Sequence, residues 1–304
     1  MRRENLGGVL AAAVVPYVMD VRAPAGLRVD LDRFERHCTW LVRNGCTGVL
    51  VNSFALGESG SLTYAEQREV TRAAVRAIGS RATVVAAVHD VGAHQVVERI
   101  GQAAEDGADA VLCMPPLSYE PSHAETVLHY EAVAAAGLPV LVCNNPAGCR
   151  VDLSPAILAE LSALDNVVGI CDFSGDVTRI WKTLALAPGT AVITGGDTIV
   201  VDSLLSGACG WIGALPNVFP EQAVQLADLL ASGLLVEAEA LRCALDGPLR
   251  WYKRPAVVQM VKFAMDYCGL YGGPYRPPRH GLAAKMLSQV RHEVRSAVKW
   301  LTPG

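Results

Sequence analysis

The stretch TVVAAVHDVGAHQVVERIGQAAEDGADAVLCM, residues 83–114, contains the repeating unit of this chain. Two apolar runs, Thr83–Val88 and Ala110–Met114, flank a helical pattern, and Gly107 lies between that pattern and the second run. A glycine suits this place because helices commonly end on a residue in the left-handed conformation. Both runs are nearly continuous in apolar residues, which is typical of strands buried on both faces of a parallel sheet. The unit therefore predicts a strand, a helix and a parallel strand.

Apolar runs of this kind recur eight times along the chain. They are Gly8–Val15, Gly48–Asn52, Thr83–Val88, Ala110–Met114, Val140–Cys143, Val167–Cys171, Ala191–Thr194 and Gly210–Gly213. Helix starts can be read between them: Thr63 and Ser122 each open a capping box, and Ser154 precedes a proline at the first helical position. Eight strands alternating with helices predict an α/β fold, a (β/α)8 barrel. The rival is an open doubly wound sheet, but VVPYVMD after the first run does not resemble its glycine-rich phosphate loop.

After Pro220 the chain gives no further strand signal. Helical patterns near residues 221–232, 234–247, 252–268 and 281–300 predict a C-terminal helical extension packed on the barrel. The predicted division is therefore a barrel at residues 1–220 and an extension at 221–304.

Composition restricts the class of protein. Of 304 residues 51% are hydrophobic and 18% charged, which excludes a disordered chain. The nine cysteines are odd in number and form no CxxC pair, so they indicate a reducing, cytoplasmic compartment and not a disulfide framework. No apolar stretch approaches the roughly 20 residues of a membrane span. The apolar N-terminal run is interpreted as a buried strand and not a signal peptide, because Glu4 precedes it and Pro16 ends it.

Charge is unevenly distributed. The segment Pro248–Gly304 holds ten Lys/Arg and two Asp/Glu, whereas the whole chain carries a net charge of −4. Because these basic residues lack interleaved stacking aromatics, we expect a solvated or subunit-facing surface and no nucleic-acid partner.

Several motifs carry a resemblance to a known family. In order and spacing they are GVLAAAVVPY (8–17), FALGESGSLT (54–63), NNPAGCRVDLSP (144–155), VVGICDFSGD (167–176), GGD (195–197), GACGWIGALPNVFPE (207–221) and GPYRPP (273–278). Over nearly the whole chain they resemble the dihydrodipicolinate synthase / N-acetylneuraminate lyase family, and most closely its hydratase-aldolases for aryl-substituted 2-oxo acids. The resemblance implies a (β/α)8 barrel with a three-helix C-terminal extension, a small-molecule substrate, no cofactor and a homo-oligomer, a tetramer or dimer.

Two central residues of that family are missing. Its members form a Schiff base with a 2-oxo acid through a lysine at the end of strand six, and a tyrosine relays protons. The lysine position corresponds here to Cys171 and the tyrosine position to Cys143. Of the five lysines, Lys182 lies in the helix after strand six, and the other four (Lys253, Lys262, Lys285 and Lys299) are expected in the C-terminal helices, away from the strand ends. The resemblance thus predicts that the ordinary Schiff-base mechanism is absent.

Other positions of the family's motifs also differ. Two hydroxyl residues are replaced by Ala55 and Leu56, while Gly57 and Glu58 are retained. The motif tyrosine that reaches a neighbouring subunit is absent from Pro115–Ser118, with Tyr119 one residue further on. The motif arginine corresponds to Gly148, and Arg150 follows two residues later.

Candidate site residues are those that follow the predicted strands, because catalysis in such barrels occurs at the C-terminal strand ends. The catalytic candidates are His89, Cys143, Cys171 and Asp172, and the substrate-binding candidates are Ser53, Leu56, Gly57, Glu58, Asn144 and Asp197. No metal site is predicted, since a zinc site that added Cys113 or His89 to the two central cysteines would need four converging ligands.

The roles of these candidates remain open at the level of sequence. His89 is the leading proton shuttle, if it titrates near neutrality, or else a hydrogen-bonded loop histidine. Cys143 and Cys171 either react as activated thiols, form a disulfide, or fill space. Glu58 either binds substrate or fixes its loop, and strand alternation points Asp172 outward unless the strand has ended. The backbone N–H groups of Leu56 and Gly57 could hold a carboxylate.

Three hypotheses about function follow. Phe54, Leu56 and Leu117 favour a bulky, partly apolar ligand that carries a carboxylate. The first hypothesis is a lyase, hydratase, isomerase or cyclase that acts by acid–base chemistry with His89. The second is a catalytically silent family member that binds a metabolite or partners an active paralogue, and the third is a Schiff-base aldolase with a relocated lysine.

Overall fold

Eight parallel strands close into a barrel in the computed structural model, which describes residues 6–149 and 151–301. The strands are β1 (Gly8–Ala12), β2 (Gly48–Val51), β3 (Thr83–Val88), β4 (Ala110–Cys113), β5 (Val140–Asn144), β6 (Val167–Asp172), β7 (Val192–Gly195) and β8 (Gly210–Gly213). Each strand pairs with the next, and β1 pairs with both β2 and β8. The predicted barrel is thereby confirmed, although β1 ends at Ala12, three residues before the predicted end.

Helices follow the strands in alternation. They are α1 (Leu31–Arg43), α2 (Tyr64–Ile78), α3 (Ala93–Glu105), α4 (His123–Ala134), α5 (Pro155–Leu161), α6 (Thr178–Leu186), α7 (Val200–Leu205) and α8 (Pro220–Ala231). Both predicted capping boxes are present: the Thr63 and Ser122 hydroxyls accept from the backbone N–H of Glu66 and Glu125, whose carboxylates accept in return. These caps satisfy N–H groups that have no partner inside the helix.

The C-terminal part is helical, as expected. It contains α9 (Leu235–Ala244), α10 (Val257–Tyr267) and α11 (Ala284–Leu301), with a short helix at Asp246–Leu249 and a 3₁₀ turn at Trp251–Lys253. Helix α9 contacts α8, and α11 contacts both α9 and α10. Helix α8 also contacts β1. The division at residue 220 stays a prediction.

A small antiparallel ribbon was not predicted. It pairs Tyr17–Met19 with Leu27–Val29 and lies between β1 and α1. Glu4 and Arg150, which entered the sequence arguments, lie outside the described residues. Within residues 6–149 and 151–301, no helix combines the length and apolar character needed to cross a membrane.

Candidate active site

A cavity of about 450 Å³, counting all space between its lining atoms, opens at the C-terminal ends of the barrel strands. Its lining is mostly apolar and comes from several strands and the loops that follow them: Ala12, Leu50, Phe54, Ala55, Leu56, Ala87, Leu112, Met114 and Phe173. Four polar or thiol residues complete it: Ser53, Cys143, Asn145 and Tyr252. Small-molecule sites have this balance of apolar and polar groups.

The two central cysteines lie side by side on neighbouring strands, and the alternation of faces along each strand turns both in the same direction. Cys143 on β5 is the register partner of Cys171 on β6, and both side chains are fully buried. Burial raises the pKa of both thiols well above 9, and the nearby Asp172 carboxylate raises both pKa values further. Both are therefore neutral thiols and not activated nucleophiles. Among the described residues no group of three His, Cys, Asp or Glu is arranged to hold a metal ion.

The loop after β2 forms one wall of the cavity. The backbone N–H of Gly57 donates to Oγ of Ser53 at 2.9 Å, and a Cβ on residue 57 would lie only 2.5 Å from the backbone nitrogen of Ser53. Glycine is required there by this close approach. The expectation that the N–H groups of Leu56 and Gly57 jointly hold a carboxylate needs correction, because the N–H of Gly57 is already donated within the loop. Leu56 itself lines the cavity as a buried apolar side chain.

Glu58 is held by the C-terminal extension. Its Oε2 lies 2.8 Å from Nζ of Lys262 on α10, and neither side chain is exposed. Nζ of Lys262 also donates to the carbonyl of Pro274 at 3.2 Å and lies 4.5 Å from the centre of the Tyr17 ring. Two expectations are corrected. Glu58 fixes its loop and is not positioned to bind substrate, and Lys262 is not remote from the strand ends.

Lys253 also lies closer to the strand ends than expected. A Cβ on Gly175, in the loop after β6, would lie 3.9 Å from Cε of Lys253. The Lys253 side chain is exposed and is absent from the cavity lining.

His89 lies behind the wall of the cavity. Its ring stacks on Phe54 with centroids 4.0 Å apart, and its Nε2 lies 2.9 Å from Oγ of Ser59. Burial lowers the pKa of His89 to about 4, and the nearby Arg99 guanidinium lowers it further. The expectation of a histidine that titrates near neutrality is wrong, because burial and Arg99 outweigh the opposing effect of the nearby Asp90 carboxylate, and the imidazole stays neutral. Phe54, and not His89, faces the cavity.

Asp172 and Asn144 face the helices and not the cavity. The Asp172 carboxylate accepts from Nδ2 of Asn144 at 3.0 Å and from the backbone N–H of Ser174 at 2.8 Å, and it lies 3.3 Å from Nε of Arg179. Oδ1 of Asn144 accepts from the backbone N–H of Leu153 at 3.0 Å. The catalytic role of Asp172 and the substrate-binding role of Asn144 are therefore corrected, since strand alternation places both opposite the inward cysteines.

Asp197 is likewise structural. It is buried, and its carboxylate accepts from the backbone N–H groups of Ala214 at 3.0 Å and Leu215 at 3.1 Å. Burial raises its pKa to about 7, although the backbone hydrogen bonds oppose the shift. Its predicted contact with substrate is corrected, because it binds the loop after β8 and does not line the cavity.

Sequence reasoning missed Tyr252, Phe173 and Asn145 as cavity residues. Tyr252 comes from the C-terminal extension and stacks on Phe173, with centroids 6.2 Å apart. The two glycines of the GGD motif make room for these rings: a Cβ on Gly195 would overlap Phe173, and one on Gly196 would lie 2.8 Å from the Tyr252 ring. The two glycines of the GGD motif indicate that another group packs closely against this backbone, but the motif does not show that Phe173 and Tyr252 are the groups that do so.

Comparison with known proteins places the chain in a family. The model of the dihydrodipicolinate synthetase family matches residues 5–297. The chain belongs to the dihydrodipicolinate synthetase family. Dihydrodipicolinate synthetase relatives include the 4-hydroxy-tetrahydrodipicolinate synthase of Saccharophagus degradans, 30% identical over 95% of this chain and 99% of the relative. The synthase of Phenylobacterium zucineum is 32% identical over 93% of this chain and 96% of the relative.

Solved structures of the dihydrodipicolinate synthetase family agree. The 4-hydroxy-tetrahydrodipicolinate synthase of Methylacidiphilum fumariolicum has a TM-score of 0.89 at 25% identity and covers 97% of both chains. The chloride-inhibited dihydrodipicolinate synthase of Acinetobacter baumannii, solved with pyruvate, has a TM-score of 0.88 at 26% identity and covers 96% of this chain and 99% of that one. This chain is thus a member of a lyase-type enzyme family whose barrel it shares over nearly its full length.

Proposed function

We propose that this chain binds a small, largely apolar carbonyl or carboxylate compound in the barrel cavity, and that it does so without forming a Schiff base. The observation that carries the proposal is the neutral, apolar lining, which includes Cys143 on β5. Its register partner on β6, where the family's lysine would stand, is Cys171. Neither thiol can form the imine that a neutral lysine forms with a 2-oxo acid.

The apolar walls support the class of ligand. The Acinetobacter baumannii relative was solved with pyruvate, a small polar 2-oxo acid. In this chain Leu56 and Phe54 line the cavity from the loop after β2, and Leu112 and Met114 add further apolar surface. Moving one methylene group from water into apolar surroundings is favourable by about 0.8 kcal/mol. Aryl or alkyl 2-oxo acids should therefore bind more tightly than pyruvate.

The geometry favours binding without turnover over acid–base catalysis. The first hypothesis depended on His89, which is neutral and lies behind Phe54. Asp172, Asp197 and Glu58 are all engaged outside the cavity. With no ionised base among the described lining residues, we propose a catalytically silent member that holds a metabolite or partners an active paralogue. Neutral hydroxyl and thiol donors remain available should a lyase, hydratase, isomerase or cyclase activity be found.

The test combines binding, trapping and turnover. Isothermal titration with benzoylformate and pyruvate should show tighter binding of the aryl compound. Intact-mass spectrometry after incubation with either compound and borohydride should show no reduced adduct, with the Saccharophagus degradans synthase as a positive control. A stoichiometric adduct on any lysine would show that the chain does form a Schiff base. Consumption of the bound compound would show that the chain is a catalyst and not a silent binder.

We also propose that the chain works in the cytoplasm as a homo-oligomer, a dimer or tetramer, without a nucleic-acid partner. Its family membership and its net charge of −4 support this. Light scattering coupled to size exclusion should give a multiple of 32.2 kDa, and a monomer mass would contradict it.

A further inference from the structure

Tyr252 reaches the cavity from outside the barrel. It belongs to the 3₁₀ turn Trp251–Lys253 of the C-terminal extension, and its ring rests on Gly196 and faces Phe173. The left-handed backbone of Gly196, with φ of 96°, and its missing Cβ together allow this approach. The ring position is therefore fixed by contacts on two sides.

The hydroxyl of Tyr252 has no assigned protein partner. No described residue forms a hydrogen bond with it, whereas its electrostatic neighbours are Asp197, Cys171 and Cys143. The side chain is half-buried and lines the cavity, so its hydroxyl is accessible to a bound ligand and has no protein group to compete with one. Burial and these neighbours raise the pKa of Tyr252 well above 10, so the hydroxyl keeps its proton.

Two other polar lining groups are held within their own loops. Oγ of Ser53 accepts from Gly57, and Oδ1 of Asn145 accepts from the backbone N–H of Gly148 at 3.2 Å. Their hydroxyl and amide groups still carry donors, and the Cys143 thiol is a weak donor. Tyr252 differs from them because its hydroxyl neither accepts nor donates a hydrogen bond among the described residues and comes to the cavity from the C-terminal extension.

We propose that the Tyr252 hydroxyl donates a hydrogen bond to a carbonyl oxygen of the ligand, beside Cys143 and Cys171. The inference rests on the proposed function and deepens it, because it makes the ligand an apolar compound with a carbonyl group directed toward β5 and β6. The C-terminal extension then supplies a hydrogen-bond donor to a cavity that the barrel otherwise lines mainly with apolar groups. In apolar surroundings such a hydrogen bond discriminates strongly against a compound without the oxygen.

The test compares two probes that differ only at the carbonyl group, benzoylformate and phenylacetate. Tyr252→Phe should weaken benzoylformate binding about five- to tenfold and change phenylacetate binding less than twofold. In difference infrared spectra of benzoylformate labelled with ¹³C at the keto carbon, the keto stretch should lie at higher wavenumber in the variant than in the wild type. Tyr267→Phe, on the exposed side of α10, is the matched control and should change neither.

Each outcome decides the proposal. An equal change for both probes, or no change for either, overturns the hydrogen bond but leaves the proposed binding function standing. Failure of both probes to bind the wild type overturns the proposed function and this inference together. Should Tyr252→Phe not fold, the wild-type spectrum alone is decisive, because a keto stretch at the wavenumber found in an aprotic solvent would exclude the donor.

Discussion

Nζ of Lys262 lies 2.8 Å from Oε2 of Glu58, and both side chains are completely buried. The pair joins α10 of the C-terminal extension to the loop that carries Ser53, Phe54 and Leu56 into the cavity. Glu58 adopts a left-handed backbone conformation with φ of 47°, which is costly for a residue with a side chain. The ion pair offsets that cost and fixes the wall of the cavity.

Removing the lysine of this pair should be destabilising. Lys262→Met leaves the buried Glu58 carboxylate with only the partly exposed Arg279, whose Nε lies 3.6 Å from Oε1, and should lower the free energy of unfolding by about 2–4 kcal/mol. Urea unfolding measures the change. The double variant Glu58→Gln with Lys262→Met should recover part of the loss, because it removes the buried carboxylate and leaves only the partly exposed Arg279 charged. Lys285→Met on the exposed surface of α11 is the control, and a loss of similar size there would rule out the buried pair as the cause.

The fold could be predicted from the sequence because its signals are local. Apolar runs marked all eight strands, and two capping boxes marked the starts of α2 and α4. The resemblance also placed Cys143 and Cys171 at two central positions of the family's site, and the structure pairs them on adjacent strands. The site was harder because its decisive contacts join distant segments: Lys262 with Glu58, and Tyr252 with Gly196. Periodicity cannot show which remote side chain fills a space, and this is also why His89 and Asp197 were assigned roles that their burial excludes.

The packing of the Tyr252 ring against Gly196 can be tested by substituting the glycine. Alanine at this position, where φ is 96° and ψ is 140°, adds backbone strain of about 1–3 kcal/mol and a Cβ lying 2.8 Å from the ring, so the total loss of stability should be about 2–5 kcal/mol. Gly233→Ala is the matched control, since Gly233 has φ of 73° and nothing within 4 Å of its added Cβ. Urea unfolding should show only the strain cost there. The double variant Gly196→Ala with Tyr252→Ala should show no extra packing cost, and strict additivity would contradict the contact.

His89 should make stability depend on pH in the acid range. Its pKa in the folded protein is about 4, against about 6.5 for a histidine in the unfolded chain, so the folded state disfavours the protonated ring. The stability is complete above pH 6.5 and falls as the pH drops from 6.5 toward 4, by roughly 2–3 kcal/mol from this residue. His89→Gln should reduce the slope of this part of the stability curve, measured by urea unfolding at several pH values, but not abolish it, because burial also lowers the pKa of His37 and His129. Exposed His94→Gln serves as the control and should leave the slope unchanged. Unchanged binding of benzoylformate by His89→Gln is also expected, and its loss would restore His89 to the site.

The buried thiols should resist alkylation in the native protein. Burial raises the pKa of Cys143 and Cys171 well above 9, whereas Cys243 lies on the surface. Since the thiolate is the reacting form, iodoacetamide at pH 8 should label Cys243 long before either buried residue. Peptide mapping at timed intervals gives the order, and labelling in urea confirms that all sites can react. Rapid native labelling of Cys143 or Cys171 would indicate an activated thiol and revive the catalytic hypothesis.

Restoring an amine at residue 171 tests whether only this group separates the chain from Schiff-base chemistry. A lysine there would be buried beside Cys143 in neutral surroundings, and burial lowers the pKa of a lysine toward the neutral, nucleophilic form. Cys171→Lys should therefore form an imine with benzoylformate that borohydride traps on residue 171, at a cost of several kcal/mol in stability. Intact mass and peptide mapping detect the adduct, and Cys171→Met, similar in size without an amine, should give none. If the lysine variant folds and binds benzoylformate but yields no adduct, residue 171 does not present its side chain to the ligand. The neutral cavity would then have to hold its ligand away from β6.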